Sequence, residues 1–209
     1  MAKYKMVLFD SDGTLADTLP WALAAFNQLA DKHGFAPVSA ADHEEFRRLP
    51  MKDVLRRAKI PLWRLPALAS GVRKFMGGHL HEFSLFDGIS ESLQQLSRAG
   101  VVLGIVSSNS RENVRIILGP DNAALIRHFA CSASIFGKAS KLRAVLRASG
   151  ISAEETIYIG DEVRDAEAAH KVGMAYGAVA WGYHDLETLR SHSAAEQFLK
   201  PIEIGQKLG

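Results

Sequence analysis

A chain of 209 residues with 47% hydrophobic and 23% charged residues has the balance of an ordinary globular protein, large enough to bury a core without covalent staples. Its 25 basic and 23 acidic residues leave a net charge of +2, so nothing in the charge calls for nucleic acid or an acidic membrane as a partner. A single cysteine, Cys131, excludes an internal disulfide and fits a reducing compartment, and no apolar run approaches the roughly 18–20 residues that span a bilayer. Met1 runs straight into a short apolar strand with no basic and apolar leader before it, and a cytoplasmic protein is expected.

In chain order, the first element is a buried strand, Met6–Phe9. The string Asp10-Ser11-Asp12-Gly13-Thr14-Leu15 follows it directly. Two carboxylates two residues apart repel: a like-charged pair at about 4 Å costs about 4 kcal/mol at an effective dielectric of about 20. A hard cation such as Mg²⁺ would relieve that cost and accept oxygen ligands. A carboxylate can also act as a covalent nucleophile on phosphorus, and the glycine lets the backbone turn sharply beside the pair. As an isolated Asp-x-Asp, the same residues would read as a polar turn.

From about residue 16 to residue 83 the pattern is helical. Trp21, Leu23, Phe26, Leu29 and Ala30 recur at helical spacing, as do Phe46, Leu49, Val54 and Leu55, and then Leu68, Val72, Phe75 and Met76. This predicts a small helical domain inserted after the first strand, over residues 16–83, hanging above the strand ends like a lid. Residues 1–15 and 84–209 then form the catalytic core.

The core resumes with a helix, Ile89–Ala99, and a strand, Val101–Val106, which ends in Ser107-Ser108-Asn109-Ser110. Hydroxyls and amides at a strand's carboxyl end can donate to phosphate oxygens, although serine and asparagine are also common turn and cap residues. Cys131–Ile135 is a weaker strand candidate, with Cys131 expected as a buried structural thiol. A lysine then stands near the start of the helical stretch Lys141–Ala148; either Lys138 or Lys141 could turn inward to offset the charge of carboxylates and a phosphoryl group. The strand Thr156–Ile159 ends in Gly160-Asp161-Glu162-Val163-Arg164-Asp165, where Asp161 and Asp165 lie one helical turn apart on the same side. A helix over Asp165–Val172 stops at Gly173, a strand covers Ala175–Ala180, and Trp181-Gly182-Tyr183-His184 reads as a structural loop bordering the strand ends. Leu186–Gly209 reads as a closing helix plus a short edge segment. Strand–helix–strand alternation predicts an α/β, Rossmann-like parallel sheet with helices on both faces, and such sheets bind ligands at the carboxyl ends of their strands.

Four motifs in this order, each at a strand's carboxyl end, resemble the haloacid dehalogenase superfamily of phosphohydrolases. The matching strings are FDSDGTLADT, IVSSNS, FGKASKL and YIGDEVRDAEAAHKVG. The resemblance covers nearly the whole chain and is strongest to the helical-capped, phosphoglycolate phosphatase-like subgroup. It implies that Asp10 is the nucleophile and that Asp12 protonates the leaving oxygen and then activates water. Asp10, the backbone carbonyl of Asp12, and Asp161 would hold Mg²⁺. Ser107 would hold a phosphoryl oxygen beside Ser108 and Asn109. Lys138, with Lys141 in reserve, would neutralise charge near Asp10, and Asp165 would orient the lysine or a metal-bound water. Phosphoryl transfer asks for this kind of positioning and charge neutralisation.

Two departures stand out. Ala139 follows Lys138 where many capped relatives have proline, and Arg47-Arg48 precede Leu49-Pro50 where relatives often have glycine, so Arg48 could reach an anionic group of the substrate. The alternative for Arg48 is a solvated basic patch with Lys52, Arg56 and Arg57. The expected activity is hydrolysis of a small phosphorylated metabolite through an aspartyl-phosphate. A sugar-phosphate mutase of the same architecture and a non-enzymatic phosphate-binding protein are the alternatives. Asp12 speaks against a dehalogenase, which lacks the second aspartate. Phosphonate cleavage would need a reactive lysine in the insert, for which Lys52 and Lys59 are available. Receiver domains, which also phosphorylate an aspartate, lack a long insert after the first strand.

Overall fold

The computed structural model describes residues 2–39, 42, 45–49, 51–57, 60–132 and 137–209. Its core is a six-stranded, wholly parallel sheet built from β1 (Met6–Phe9), β2 (Val102–Ser107), β3 (Ile126–Cys131), β4 (Thr156–Gly160), β5 (Ala175–Val179) and β6 (Glu196–Phe198). The spatial order is β3-β2-β1-β4-β5-β6. The chain winds outward from β1 to β3, then returns to β4 on the other side of β1. That reversal opens a crevice at the carboxyl ends of β1 and β4, where open α/β sheets place their ligands.

The strands alternate their side chains between two cores. Val7, Phe9, Ile105, Ile157, Ile159, Val179 and Phe198 face one way and pack with α4 (Ile89–Arg98), α5 (Arg111–Leu125) and α9 (Ile202–Leu208). Met6, Leu8, Val106, Tyr158, Tyr176 and Ala178 face the other way and pack with α6 (Lys138–Ser149), α7 (Val163–His170) and α8 (Leu186–Arg190). Both faces are covered, so the inner strands β1, β2, β4 and β5 are largely apolar, as a parallel sheet requires.

Between β1 and α4 lie α1 (Leu19–His33), α2 (Met51–Arg57) and α3 (Leu65–Gly77), and among the described residues there is no strand in this insert. Ala16 and Leu85 form an isolated antiparallel bridge where the chain leaves the sheet and returns to it. Phe26, Leu29 and Phe35 close on Ile60 and Leu68 inside the insert, while Trp21 and Met76 join Leu80, Phe83 and Ile117 at its base. The side chains of Lys52 and Leu55, and all of Pro50 and Lys59, lie outside the described residues. No helix among the described residues is long and apolar enough to cross a membrane.

Two expectations are corrected, and one helix has no counterpart among the sequence expectations. The strand expected to start at Cys131 instead covers Ile126–Cys131 and has ended by Ser132; residues 133–135 of the expected strand lie outside the described residues. It follows α5 with no glycine or proline to mark the junction, and it is an edge strand carrying the exposed Arg127, so it lacks the apolar signature of a buried strand. Helix α5 itself was hidden by Gly119-Pro120, which kinks it at a left-handed φ of 71°. The C-terminal region is α8, the edge strand β6 and α9, rather than one helix and an edge segment.

Candidate active site

Asp10 leaves β1, Ser107 ends β2, Lys138 opens α6, and Asp161 and Asp165 flank the start of α7 after β4. Their side chains are almost completely buried: Asp10 is 3% exposed, Lys138 8%, and Ser107, Asp161 and Asp165 0%, which for charged groups demands partners. Lys138 supplies them. Its Nζ donates to Asp10 Oδ2 at 2.7 Å and forms an ion pair with Asp165. Burial alone would lower the lysine pKa; the charges of Asp10 and Asp165 outweigh it and raise it. Tyr158, from β4, lies beneath: its hydroxyl donates to the Val106 carbonyl at 3.0 Å and sits 3.4 Å from Asp165 Oδ1, and the Lys138 Nζ is 5.6 Å from its ring centre.

The structure thus puts Lys138, not Lys141, on Asp10. Lys141 Nζ donates to the carbonyls of Ser107 at 2.7 Å and Ser132 at 3.2 Å, so it secures the end of β2. The Ser107 hydroxyl accepts from the Asn109 amide at 3.0 Å, and Asn109 Nδ2 donates to Asp12 Oδ2 at 3.4 Å, bringing the β2 loop against the Asp-x-Asp turn. Ser108 is half-buried on that loop. The other Asp12 oxygen, Oδ1, is buried with no hydrogen-bond partner among the described residues. Burial, and next the neighbouring charge of Asp10, push the Asp12 carboxyl up to about 6, so it can hold a proton near neutral pH. Arg48 is not brought to this cluster: its Nε donates to Asp185 Oδ2 at 3.2 Å, and its side chain is 72% exposed.

Asp161 packs directly on the Asp-x-Asp turn. Gly13 holds φ at +78°, and a Cβ there would overlap the Asp161 carboxylate and the Tyr183 ring. Asp161 accepts from the Thr14 hydroxyl at 2.6 Å and from the Tyr183 amide at 2.8 Å. Gly182 lets that amide approach, because a Cβ at Gly182 would overlap Asp161. Gly182→Ala is therefore expected to destabilise the protein by about 1–3 kcal/mol and to depress activity, with thermal melting and turnover as readouts. An unchanged melting temperature would show that the loop yields at no cost.

A tight acidic trio is also present: Asp10, Glu162 and Asp165 bring carboxylate oxygens within 4.8 Å of one another. It differs from the expected set of Asp10, Asp12 and Asp161. Glu162 caps α7, pairs with Arg164, and gives its amide to Asp165 Oδ2 at 3.0 Å. Hard carboxylate donors at the end of β1 and the start of α7, gathered within reach of one another, suit a divalent cation. Sequence reasoning missed Thr14, Tyr158, Glu162 and Arg164, although all stand inside or beside the motifs; it had treated Tyr183 as part of a structural loop. Cys131 is half-buried, not fully buried, and burial pushes its thiol up to about 11, so it is unreactive.

This geometry has known counterparts. The sequence pattern of the haloacid dehalogenase-like hydrolases matches residues 7–179, from β1 through β5. The chain belongs to the haloacid dehalogenase-like hydrolase family. Within that family it is a phosphatase, a phosphoric monoester hydrolase. A phosphoglycolate phosphatase from Synechococcus elongatus is 34% identical over 184 residues, covering 88% of this chain and 87% of that protein. Another from Xanthomonas campestris is 31% identical over 193 residues, covering 86% and 84%. Among solved structures, a haloacid dehalogenase-like protein from Streptococcus pneumoniae superposes with a TM-score of 0.81 at 21% identity, covering 98% of each chain. CbbY from Rhodobacter sphaeroides in complex with phosphate gives 0.74 at 20% identity, covering 98% of this chain and 99% of that one.

Proposed function

We propose that this phosphatase is Mg²⁺-dependent, acts in the cytoplasm on a small phosphorylated metabolite of the phosphoglycolate kind, and works through an aspartyl-phosphate on Asp10. One observation carries the reading: Asp10 is held by Lys138, while Asp12, raised to about 6 and with one oxygen unpartnered among the described residues, stands two residues on. Asp10 Oδ1 accepts from the Ser11 amide at 2.9 Å and Oδ2 from Lys138, which fixes the carboxylate for attack on phosphorus. Asp12 in its protonated form gives a proton to the leaving oxygen, then takes one from the water that opens the acyl phosphate. Ser107 and Asn109 hold phosphoryl oxygens, and Lys138 neutralises charge as the phosphoryl group moves. Asp10, the backbone carbonyl of Asp12, and Asp161, with Glu162 alongside, would hold the cation, which would supply charge neutralisation for the phosphoryl oxygens. Residues 16–83 form the cap, and Arg48 on its rim is the candidate for an anionic group of the substrate.

Phosphate release from a panel of phosphorylated metabolites, with and without Mg²⁺, tests this. Turnover of 2-phosphoglycolate, abolished by chelation, is expected. Release from no member of the panel, or release indifferent to chelation, would overturn the substrate or the metal assignment respectively.

A pH signature follows from the carboxylates. Burial raises Asp12 to about 6 and raises Asp161 and Asp165 above the ordinary carboxylate range, in each case aided by neighbouring acidic groups. A folded-state pKa raised above the unfolded value adds stability that is full below about pH 4 and is lost as pH climbs through the folded pKa. The cation-free protein is therefore expected to soften as pH rises from about 4 to about 7 in this respect, while the cation binds the deprotonated groups. Saturating Mg²⁺ should raise the melting temperature by about 5–10 °C near pH 7.5 and by much less near pH 5. An equal rise at both values would show that ion binding is not linked to deprotonation of Asp161.

A further inference from the structure

The six residues from Ala180 to Asp185, between β5 and α8, touch the site and the helical insert at once. On the site side, the Tyr183 amide donates to Asp161 Oδ2 at 2.8 Å and the His184 amide to the Asp161 carbonyl at 3.1 Å. On the insert side, the next amide, that of Asp185, donates to the Arg47 carbonyl at 3.2 Å. Arg47 in turn donates from its guanidinium to the Ala180 carbonyl at 3.1 Å, and Arg48 pairs with Asp185 at 3.2 Å. A second tie reaches the start of the insert: the Tyr183 hydroxyl is 3.2 Å from that of Thr18, the fully buried residue that precedes α1.

Three consecutive amides thus serve two masters. Those of Tyr183 and His184 fix Asp161, and that of Asp185 holds the insert. A short backbone segment has one conformation at a time, so seating the insert and aiming Asp161 are set together. The exposed pair of Arg48 and Asp185 adds little on its own. The part-buried hydroxyl pair, in which Thr18 is fully buried, and the backbone bonds carry the coupling, since polar groups shielded from water are costly to leave unpaired.

We infer that Ala180–Asp185 is a positioning element that couples docking of the insert to cation affinity at Asp161, with Thr18 and Tyr183 as positioning residues that touch neither substrate nor ion through their hydroxyls. The inference rests on the reading that Asp161 holds the divalent cation. Coupling of this kind is reciprocal: whatever tightens Asp161 tightens the insert, and the reverse.

The test uses the full chain and Mg²⁺ alone. Calorimetric titration measures affinity, and amide hydrogen exchange at Asp185 reports the insert contact. Tyr183→Phe keeps the ring and the amide but removes the hydroxyl; Thr18→Val removes the other partner and serves if the first variant folds poorly. Each is expected to weaken Mg²⁺ about fivefold, the worth of one neutral hydrogen bond. In the wild type, Mg²⁺ should slow exchange of the Asp185 amide, and in the variants it should do so less. A role confined to holding the fold would lower the melting temperature and leave both readouts unchanged. Wild-type Mg²⁺ affinity in both variants, with Asp185 exchange indifferent to the ion, overturns the inference. Asp161→Asn separates the two layers. If Mg²⁺ binding survives Asp161→Asn, or the wild type binds no Mg²⁺, the reading of Asp161 falls and takes the inference with it. If Asp161→Asn abolishes binding while the hydroxyl variants bind normally, only the coupling falls.

Discussion

Replacing Asp10 with asparagine is expected to abolish phosphate release, by at least about 10⁴-fold, while the protein stays folded. An amide oxygen does not attack phosphorus as a carboxylate does, and no other carboxylate can take its place. Asp12 is bonded to Asn109, and Asp165 is spent on Lys138 and the Glu162 amide. The fold survives because Asp165 still pairs with Lys138 when Asp10 loses its charge. Near-normal turnover by Asp10→Asn would sink the aspartyl-phosphate mechanism. A variant that loses activity only because it unfolds would reveal itself by its circular dichroism and melting curve.

Lys138→Met is expected to produce the largest change in stability. It leaves Asp10 at 3% exposure and Asp165 at 0% without their shared cation. Stranding a buried charge by removing its partner costs about 3–5 kcal/mol, which for a chain of this length lowers the melting temperature by about 6–20 °C. The sign of the pH dependence is fixed. Without the ammonium the Asp165 carboxyl, already raised by burial, rises further, so the penalty is felt where it must ionise and is relieved as pH falls and it takes up a proton. The gap to wild type should therefore narrow between about pH 7 and about pH 5. Lys141→Met removes donation to the Ser107 and Ser132 carbonyls but leaves the Lys138 pairs with Asp10 and Asp165 in place, and should cost less. Equal losses for the two lysines, or a gap that does not move with pH, would count against Lys138 as the counter-charge.

Most of the sheet was legible because its strands are buried on both faces. Met6–Phe9 is apolar from end to end and Thr156–Ile159 nearly so, each followed by Asp or Gly, so they stand out at once. The edge strand β3 does not, because Arg127 and His128 interrupt it and α5 runs into it without a break. The site was legible where chemistry demands acidic residues at strand ends, at Asp10, Asp12, Asp161 and Asp165. The choice between Lys138 and Lys141 was not, because both lie on the first turn of α6 and only packing decides which turns inward. Nor could local patterns reveal that Tyr183, over 160 residues from Thr14, shares Asp161 with it, since both bonds are made across the fold.

The place of β1 has a consequence for synthesis. It is the central strand, yet its partners begin at Val102 on one side and Thr156 on the other. A ribosome adding about 5–20 residues per second makes β1 wait at least about 5 s for its first neighbour and longer for its second. During that interval the helical insert, made in between, can settle first. Until β4 emerges, Met6–Phe9 presents an apolar edge that only a chaperone can cover, and truncations ending before residue 156 should be aggregation-prone for that reason.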